Sequence, residues 1–479
     1  MKKNLLLINL FLIGFVLNSM AENYDTLWTK TYGGDNQCSG NSIVVTDGGY
    51  LIAGSIKYAN ITTEWDFWVA KINANGDTLW TKTIPFGLWD GAKKIKRCLD
   101  GNYILYGYTG QSNNYHMALA KIKGNGDTLW TKKFSYAADE LVKDIIETND
   151  SGFIMTSKTT ESNNDKIRFV KTDKYGNLIT EKLLTYSTNS YVSGNSIVKA
   201  FDSGYLIAGY TKAGSLKNGE IMVMRVDESG NQSDALTYKA LVDGVEAYQI
   251  IQTMDSCYLM CSIQKAKTAP SNYKLYISKI DKSLIELWNK TLDYSVNTYN
   301  QPASIISTSD RGFVITGATG NLSLKDLMII KINPEGEIEW RDSIATSATE
   351  EGCDVIQTAV DNFLVVGNTQ ASNTSRAWVL KYGVSTVNIN EGVVNKTNIS
   401  AFPVPVNDFF NIQFELNKES NVSVRVLDIT GKTIKTVKFG TVAPGKHVYP
   451  VDCNELSGGL YMVKVETEKE IVTKKIIKQ

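Results

Sequence analysis

Side chains that could do chemistry are scarce in this chain of 479 residues, which holds only two histidines, His116 and His447. A Ser-His-Asp or Cys-His constellation would rest on His116 alone, and a surface loop is the position expected for it. No G-x-S-x-G elbow, H-E-x-x-H pair or C-x-x-C pair occurs, so hydrolase, zinc-protease and structural-zinc chemistry have no motif here. The stretch "GTVAPGKH", Gly440 to His447, copies the G-x-x-x-x-G-K of a phosphate loop. It places His447 where a magnesium-binding hydroxyl belongs, and it reads as a hairpin connection. Carboxylates and aromatics remain. Two acids at a suitable separation are enough for glycosidic chemistry, and Asp35, Asp90, Asp139, Glu140 and Glu350 are the candidates, more readily as hydrogen-bond acceptors. Tyr58, Trp65, Phe86, Trp89, Tyr191 and Tyr299 offer flat apolar faces for sugars or peptides. These aromatics and Asp90 are the candidate ligand-binding residues. The sequence assigns no catalytic residue, no cofactor and no metal ligand.

The elements that must position them come from a repeat. A strand-like run ends in a basic residue seven times, at Lys71, Lys121, Lys171, Arg225, Lys279, Lys331 and Lys381, spaced 50 to 54 residues apart. An Asp opens a turn before another strand seven times, at Asp47, Asp100, Asp150, Asp202, Asp255, Asp310 and Asp361. A carboxylate there accepts backbone N–H groups, and the neighbouring Gly is expected to supply a positive φ. None of these turns has the D-x-D-x-D-G spacing of a calcium loop. The third landmark is "LWTK", with Trp28, Trp80, Trp130, Trp288 and Trp340 at one position and Thr180 and Asp234 substituting in two units. Trp at a repeated position reads as packing between outer strands.

Each unit therefore has four short runs, here called A to D, rich in β-branched and aromatic residues. Seven four-stranded units near 50 residues describe a β-propeller. The last unit supplies A, B and C and then stops, whereas "DTLWTK" at Asp25 to Lys30 is a D strand without a preceding C. The expected fold is all-β: a seven-bladed β-propeller over 22–382, with strand 24–32 completing blade 7 and covering an otherwise open edge. A–B and C–D connections are tight turns on one face. D–A and B–C connections are longer, differ between blades and share the other face, where binding residues are expected.

At the N-terminus, Lys2 and Lys3 precede an apolar run from Leu5 to Leu17, with Ser19 and Ala21 flanking Met20, which reads as a signal peptide over 1–21. That run is shorter than the ~20 residues of a membrane span. Lys plus Arg and Asp plus Glu are both 50, and this balance argues against nucleic acid as a partner. The six cysteines are too few for a disulfide scaffold. Cys257 and Cys261 are read as lying on one face of a strand, about 13 Å apart. Cys38 and Cys353 are the more plausible pair if the ring closes, with free thiols favoured.

After a polar linker at 383–398, residues 399–479 change texture to short alternating strands, as in a small Ig-like β-sandwich. "FPVPVNDFFNIQF", "VRVLDITGKTIKT" and "LSGGLYMVKVETEKEIVTKKIIKQ" follow in order. This segment resembles the type A sorting domain of the Bacteroidetes type IX secretion system, with Val404 where that family usually has Asn. The resemblance implies passage to the periplasm, then across the outer membrane through the type IX machinery. It also implies removal of the domain and release or attachment at the cell surface. The propeller units are similar to those of secreted Bacteroidetes propellers. "KINANGDTLW" is similar to quinoprotein propellers as well, but the cofactor loops of those rings have no counterpart here. The expected function is a non-catalytic binding or scaffold module for a glycan or a protein. An extracellular polysaccharide- or peptide-degrading enzyme is the alternative.

Overall fold

A computed structural model describes residues 24–384 and 400–478, apart from 60–63, 112–113, 137–139, 162–163, 188–189, 214–218, 239–244, 266–272, 293–298, 322–323, 372–373, 403–405, 417, 429–431 and 468–470. The expected signal peptide, most of the expected linker and Asp139 lie outside the described residues. The chain divides into two compact units, Met1–Ser385 and Thr386–Gln479.

The first unit is seven antiparallel sheets of four strands, each in the order A-B-C-D. Blade 1 runs Gln37–Thr46, Gly49–Lys57, Asp66–Ile72 and Thr78–Ile84, and five more blades follow to Ile344. Blade 7 takes Thr349–Ala359, Asn362–Ala371 and Thr374–Val384 from the end of the unit and Tyr24–Tyr32 from its start. That first strand pairs antiparallel with the C strand, with Trp28 opposite Lys381 and Thr31 opposite Trp378. A shared core of Tyr32, Ile43, Ile52, Val366 and Val379 joins blade 7 to blade 1 and closes the ring. Blades are apolar on both faces because each is sandwiched between two others.

The repeated letters are one device for joining blades. The D-strand Trp of one blade lies over the C–D turn glycine of the next. A Cβ on Gly76, Gly126, Gly176 or Gly336 would stand 2.6 to 2.9 Å from the ring of Trp28, Trp80, Trp130 or Trp288. The Lys two positions later reaches the residue after that glycine, as in Lys30–Asp77 (2.5 Å) and Lys82–Asp127 (2.6 Å). Where blade 3 carries Thr180, the ring of Phe169 meets Gly230 instead. Trp340 of blade 6 packs on Tyr24, with ring centroids 4.4 Å apart. The N-terminal strand therefore takes part in the same clasp on both sides.

The other two landmarks bind each other. The C-strand cation pairs with the A–B turn Asp of its own blade in Lys121–Asp100 (2.8 Å), Lys279–Asp255 (2.6 Å) and Lys331–Asp310 (2.7 Å). One expectation about these turns is corrected. In the turns opened by Asp150 and Asp310 the positive φ belongs to Ser151 (62°) and Arg311 (71°), not to the glycine, whereas Gly48 (74°), Gly101 (79°) and Gly204 (71°) supply it as expected in three others. Gly152 and Gly312 are needed for close approach, since a Cβ there would lie 2.3 Å from the Thr172 carbonyl oxygen and 2.5 Å from that of Ile332.

The second unit packs a three-stranded sheet and a four-stranded sheet around Phe410, Phe414, Val424 and Val463. The phosphate-loop look-alike is not a hairpin. Thr433–Val442 lies in the four-stranded sheet and Gly445–Asp452 in the three-stranded one. The connection thus crosses from sheet to sheet, as sandwich strands do. All six cysteines are free. Cys257 precedes the strand Tyr258–Lys265 that holds Cys261, so the two do not share a strand face.

Candidate functional site

The A strands surround the axis, and each carries a β-bulge at the same height. The register slips between Gly40 and Ser42, Ala92 and Lys94, Val142 and Asp144, and at the matching place in the other four blades. A bulge re-aims side chains, and here the residue after it reaches across blades. Asp354 of blade 7 accepts hydrogen bonds from Ser42 of blade 1 (2.6 Å) and Ser304 of blade 6 (2.7 Å), and Lys94 of blade 2 lies 3.8 Å away. Asp144 of blade 3 accepts from Ser196 of blade 4 (2.9 Å), and from Lys96 (2.7 Å) and Tyr106 (2.9 Å) of blade 2. Gln249 of blade 5 takes the Ile305 N–H at 2.9 Å. This polar girdle ties all seven blades at the centre. Burial pushes the Asp144 carboxyl up, but Lys96 and Lys94 outweigh it and hold the group below its ordinary value.

On the long-loop face, a residue at the start of the C strand meets the loop entering the next blade in blades 1, 2 and 5. Trp65 and Trp89 form an isolated parallel bridge, as do Tyr273 and Tyr299. The Asp90 N–H donates to the Trp65 carbonyl (2.8 Å), Glu140 to Tyr115 (2.9 Å) and Asn300 to Tyr273 (3.2 Å). The candidate acids serve this architecture. Asp90 is fully buried and accepts the N–H groups of Phe86 (2.6 Å) and Gly87 (2.9 Å). Both oxygens of Glu140, also buried, accept from Arg168 Nε (2.9 and 2.8 Å). Buried Glu350 holds Thr346 and Thr369. Buried carboxylates bonded in this way fix the shape of the corners, Asp90 through Oδ2 alone, with its buried Oδ1 left without a partner among the described residues.

Of the aromatic candidates, Trp65, Phe86 and Trp89 gather with Asp90 at the corner between blades 1 and 2. Trp89 is 41% exposed beside Leu88 at 40%, whereas Phe86 leans on Phe67 with centroids 4.9 Å apart. Tyr58 packs partly into the core between blades 7 and 1. Tyr191 is half-buried at the start of blade 4. Tyr299 lies in another corner, edge-on to Tyr273 at 4.9 Å, with its hydroxyl on Gln301 and Lys325 5.4 Å above its ring. Sequence reading missed Tyr108 and Tyr115, edge-on at 5.2 Å, and Lys93, 5.5 Å over Tyr108. They stand inside strands rather than loops. His116 is buried in the strand Asn114–Ile122, not in a surface loop, because that strand is covered on both faces. Among the described residues no cluster of three His, Cys, Asp or Glu side chains could hold a metal ion. No helix among them is long and apolar enough to cross a membrane.

Residues 400–479 match the family model of the secretion system C-terminal sorting domain. The fold is shared with a polysaccharide lyase of family PL25, an ulvan lyase, at TM-score 0.50 and 10% identity over 74% of this chain and 96% of that one. Weaker likenesses include PorZ, a surface component of the type IX secretion system of Porphyromonas gingivalis, at TM-score 0.36 and 11% identity over 92% of this chain and 70% of that one. No curated protein matches the sequence. The molecule is thus an all-β seven-bladed propeller followed by an Ig-like sandwich. It is a secreted Bacteroidetes-type propeller protein that carries a type IX sorting domain, extracellular or attached to the outer cell surface.

Proposed function

We propose that the propeller is a non-catalytic binding module that engages a glycan through its long-loop face after export by the type IX system. The observation that carries this reading is the division of labour at the corner between blades 1 and 2. There the acid, Asp90, is sunk into the loop while Trp89 and Leu88 stand exposed beside Trp65. Exposed aromatic and aliphatic side chains held by a loop tied down by backbone and side-chain hydrogen bonds form a preorganised platform. The apolar face of a pyranose ring packs on such a platform. The degradative alternative asks for two acids free to titrate in one pocket. Asp90 is instead tied through Oδ2 to loop N–H groups, Glu350 to Thr346 and Thr369, Glu140 to Arg168, and Asp144 and Asp354 to the girdle. A fold held in common with a lyase leaves the chemistry to the site. The test is a polysaccharide array probed with the mature protein and with Trp89→Ala. Retention of one or more glycans, lost in the variant without release of shortened chains, is the expected result. Shortened or unsaturated products would overturn the non-catalytic reading, and an empty array would remove the glycan.

A further inference from the structure

Strand A of every blade runs from the long-loop face toward the short-turn face, so the bulged residue lies one step nearer the long loops than the girdle. In that layer blade 2 places Lys93 and blade 3 places Lys143, and the other five blades place uncharged residues. Both lysines are exposed. The girdle beneath is internally balanced, with Asp144 and Asp354 answered by Lys94 and Lys96. The two cations above it are therefore not drawn into the balance of the girdle. Lys93 also acts across the ring. Burial and then Glu351 push the Cys353 thiol of blade 7 up to about 12, while Lys93 and Lys94 pull it back.

Lys93 is also the inner end of an aromatic track. Its ammonium lies 5.5 Å above Tyr108, and Tyr108 meets Tyr115 edge-on at 5.2 Å. Two residues beyond Tyr108, Gly110 exchanges backbone hydrogen bonds of 3.1 and 3.2 Å with exposed Trp89. A cation pair at the axis and a line of rings leading outward match a repeating ligand that carries acid groups on flat, partly apolar units.

We propose that the axial mouth of the long-loop face binds an anionic sugar polymer, with Lys93 and Lys143 taking its uronate or sulfate groups and Tyr108 and Trp89 packing against its rings. This rests on the glycan reading above and names its chemical class. Charge-assisted contacts to a rigid mouth strengthen as the ligand is desolvated and weaken with salt.

The experiment measures affinity of the mature protein for polygalacturonate and dextran sulfate. Methyl-esterified polygalacturonate, unmodified dextran and poly-L-glutamate are the controls. At least one charged polysaccharide should bind about tenfold or more tightly than its uncharged counterpart. Poly-L-glutamate, which has charge without rings, should bind more weakly. The double variant Lys93→Gln/Lys143→Gln should lose about tenfold for the charged polymer and nothing for the uncharged one. Lys123→Gln/Lys174→Gln removes the same charge from exposed positions on the C–D turns of the opposite face and should leave affinity unchanged. Equal loss in both double variants, or equal affinity for charged and uncharged polymers, overturns the axial site while leaving the glycan reading in place. Tightest binding to poly-L-glutamate assigns the mouth to an acidic peptide and overturns it as well. If no polysaccharide binds at all, both fail. Dextran sulfate against polygalacturonate separates sulfate from carboxylate.

Discussion

The two faces of the ring are built by opposite rules. On the short-turn face, blades repeat the same clasp: a Trp over the next blade's turn glycine, a Lys to the residue beyond it, and a cation on the turn Asp. On the long-loop face, the equivalent of Asp90 is Glu140, Asn300 or Glu350 in other blades, and Cys38 and Val192 fill the position in blades 1 and 4. A contact made many times must use the same geometry each time, so its letters repeat. A surface made for one ligand needs each corner only once. Uniformity marks the side that holds the ring together, and divergence marks the side left free to bind.

Removing the clasp where the chain ends meet should have the largest effect. Deletion of Tyr24–Tyr32 strips Tyr24, Trp28 and Tyr32 from two blade interfaces and opens a sheet edge. At roughly 1.5–3 kcal/mol for each of three large side chains and about 1.3 °C per kcal/mol for a unit of this length at ~2.1 cal/mol/K per residue, melting should fall by about 6–12 °C, or the protein should aggregate. An unchanged melt would sink the closure.

The girdle comes next. Asp144→Ala takes the acceptor from Ser196 and Tyr106 and leaves Lys96 only the Ile145 carbonyl, and should cost about 2–3 kcal/mol, below the usual range for a broken buried pair because Lys96 is partly exposed and keeps one partner. The same group gives a pH signature. Its folded value is depressed below 3.8, so its contribution is present above that unfolded value and is lost as pH falls through the folded one. Melting measured from pH 7 downward should hold to about pH 5 and drop below about pH 4, more steeply in the native protein than in Asp144→Asn.

A single clasp is smaller. Trp80→Ala uncovers Gly126 and should cost about 1–2 kcal/mol, as befits a half-buried ring. Gly126→Ala, whose new Cβ would lie 2.6 Å from that ring at a φ of 82°, should cost less in the Trp80→Ala background than alone. The least effect on stability belongs to the other face. Trp89→Ala should shift the melt by no more than about 0.5 kcal/mol while abolishing ligand retention. Comparable destabilisation by Trp80→Ala and Trp89→Ala would erase the distinction between the faces.

The same contrast explains what the sequence made legible. Seven blades and the N-terminal closing strand could be counted because Lys71, Asp47 and Trp28 each recur at fixed spacing. The pairing of the Lys and Asp series could not, since each was a landmark by itself until strand register brought Lys121 to Asp100. The girdle was hidden more deeply. Its residues are Ser42, Lys94, Asp144, Ser196, Gln249, Ser304 and Asp354 at one structural height, so no single letter marks every blade even though the bulge does. Asp90 and Glu350 looked like loop acids open to solvent because composition carries no information on burial. Tyr108 and Tyr115 went unnoticed because they sit where strands were expected and ligands were not.

The pairing of Tyr24 with Val384 joins residues 360 positions apart, and the sorting domain begins at residue 400. The opening strand must wait, unpartnered, until every blade has been synthesised. A polypeptide cut short before blade 7 would have neither a partner for that strand nor an address for export. Placing the seam beside the shipping label makes delivery conditional on completeness.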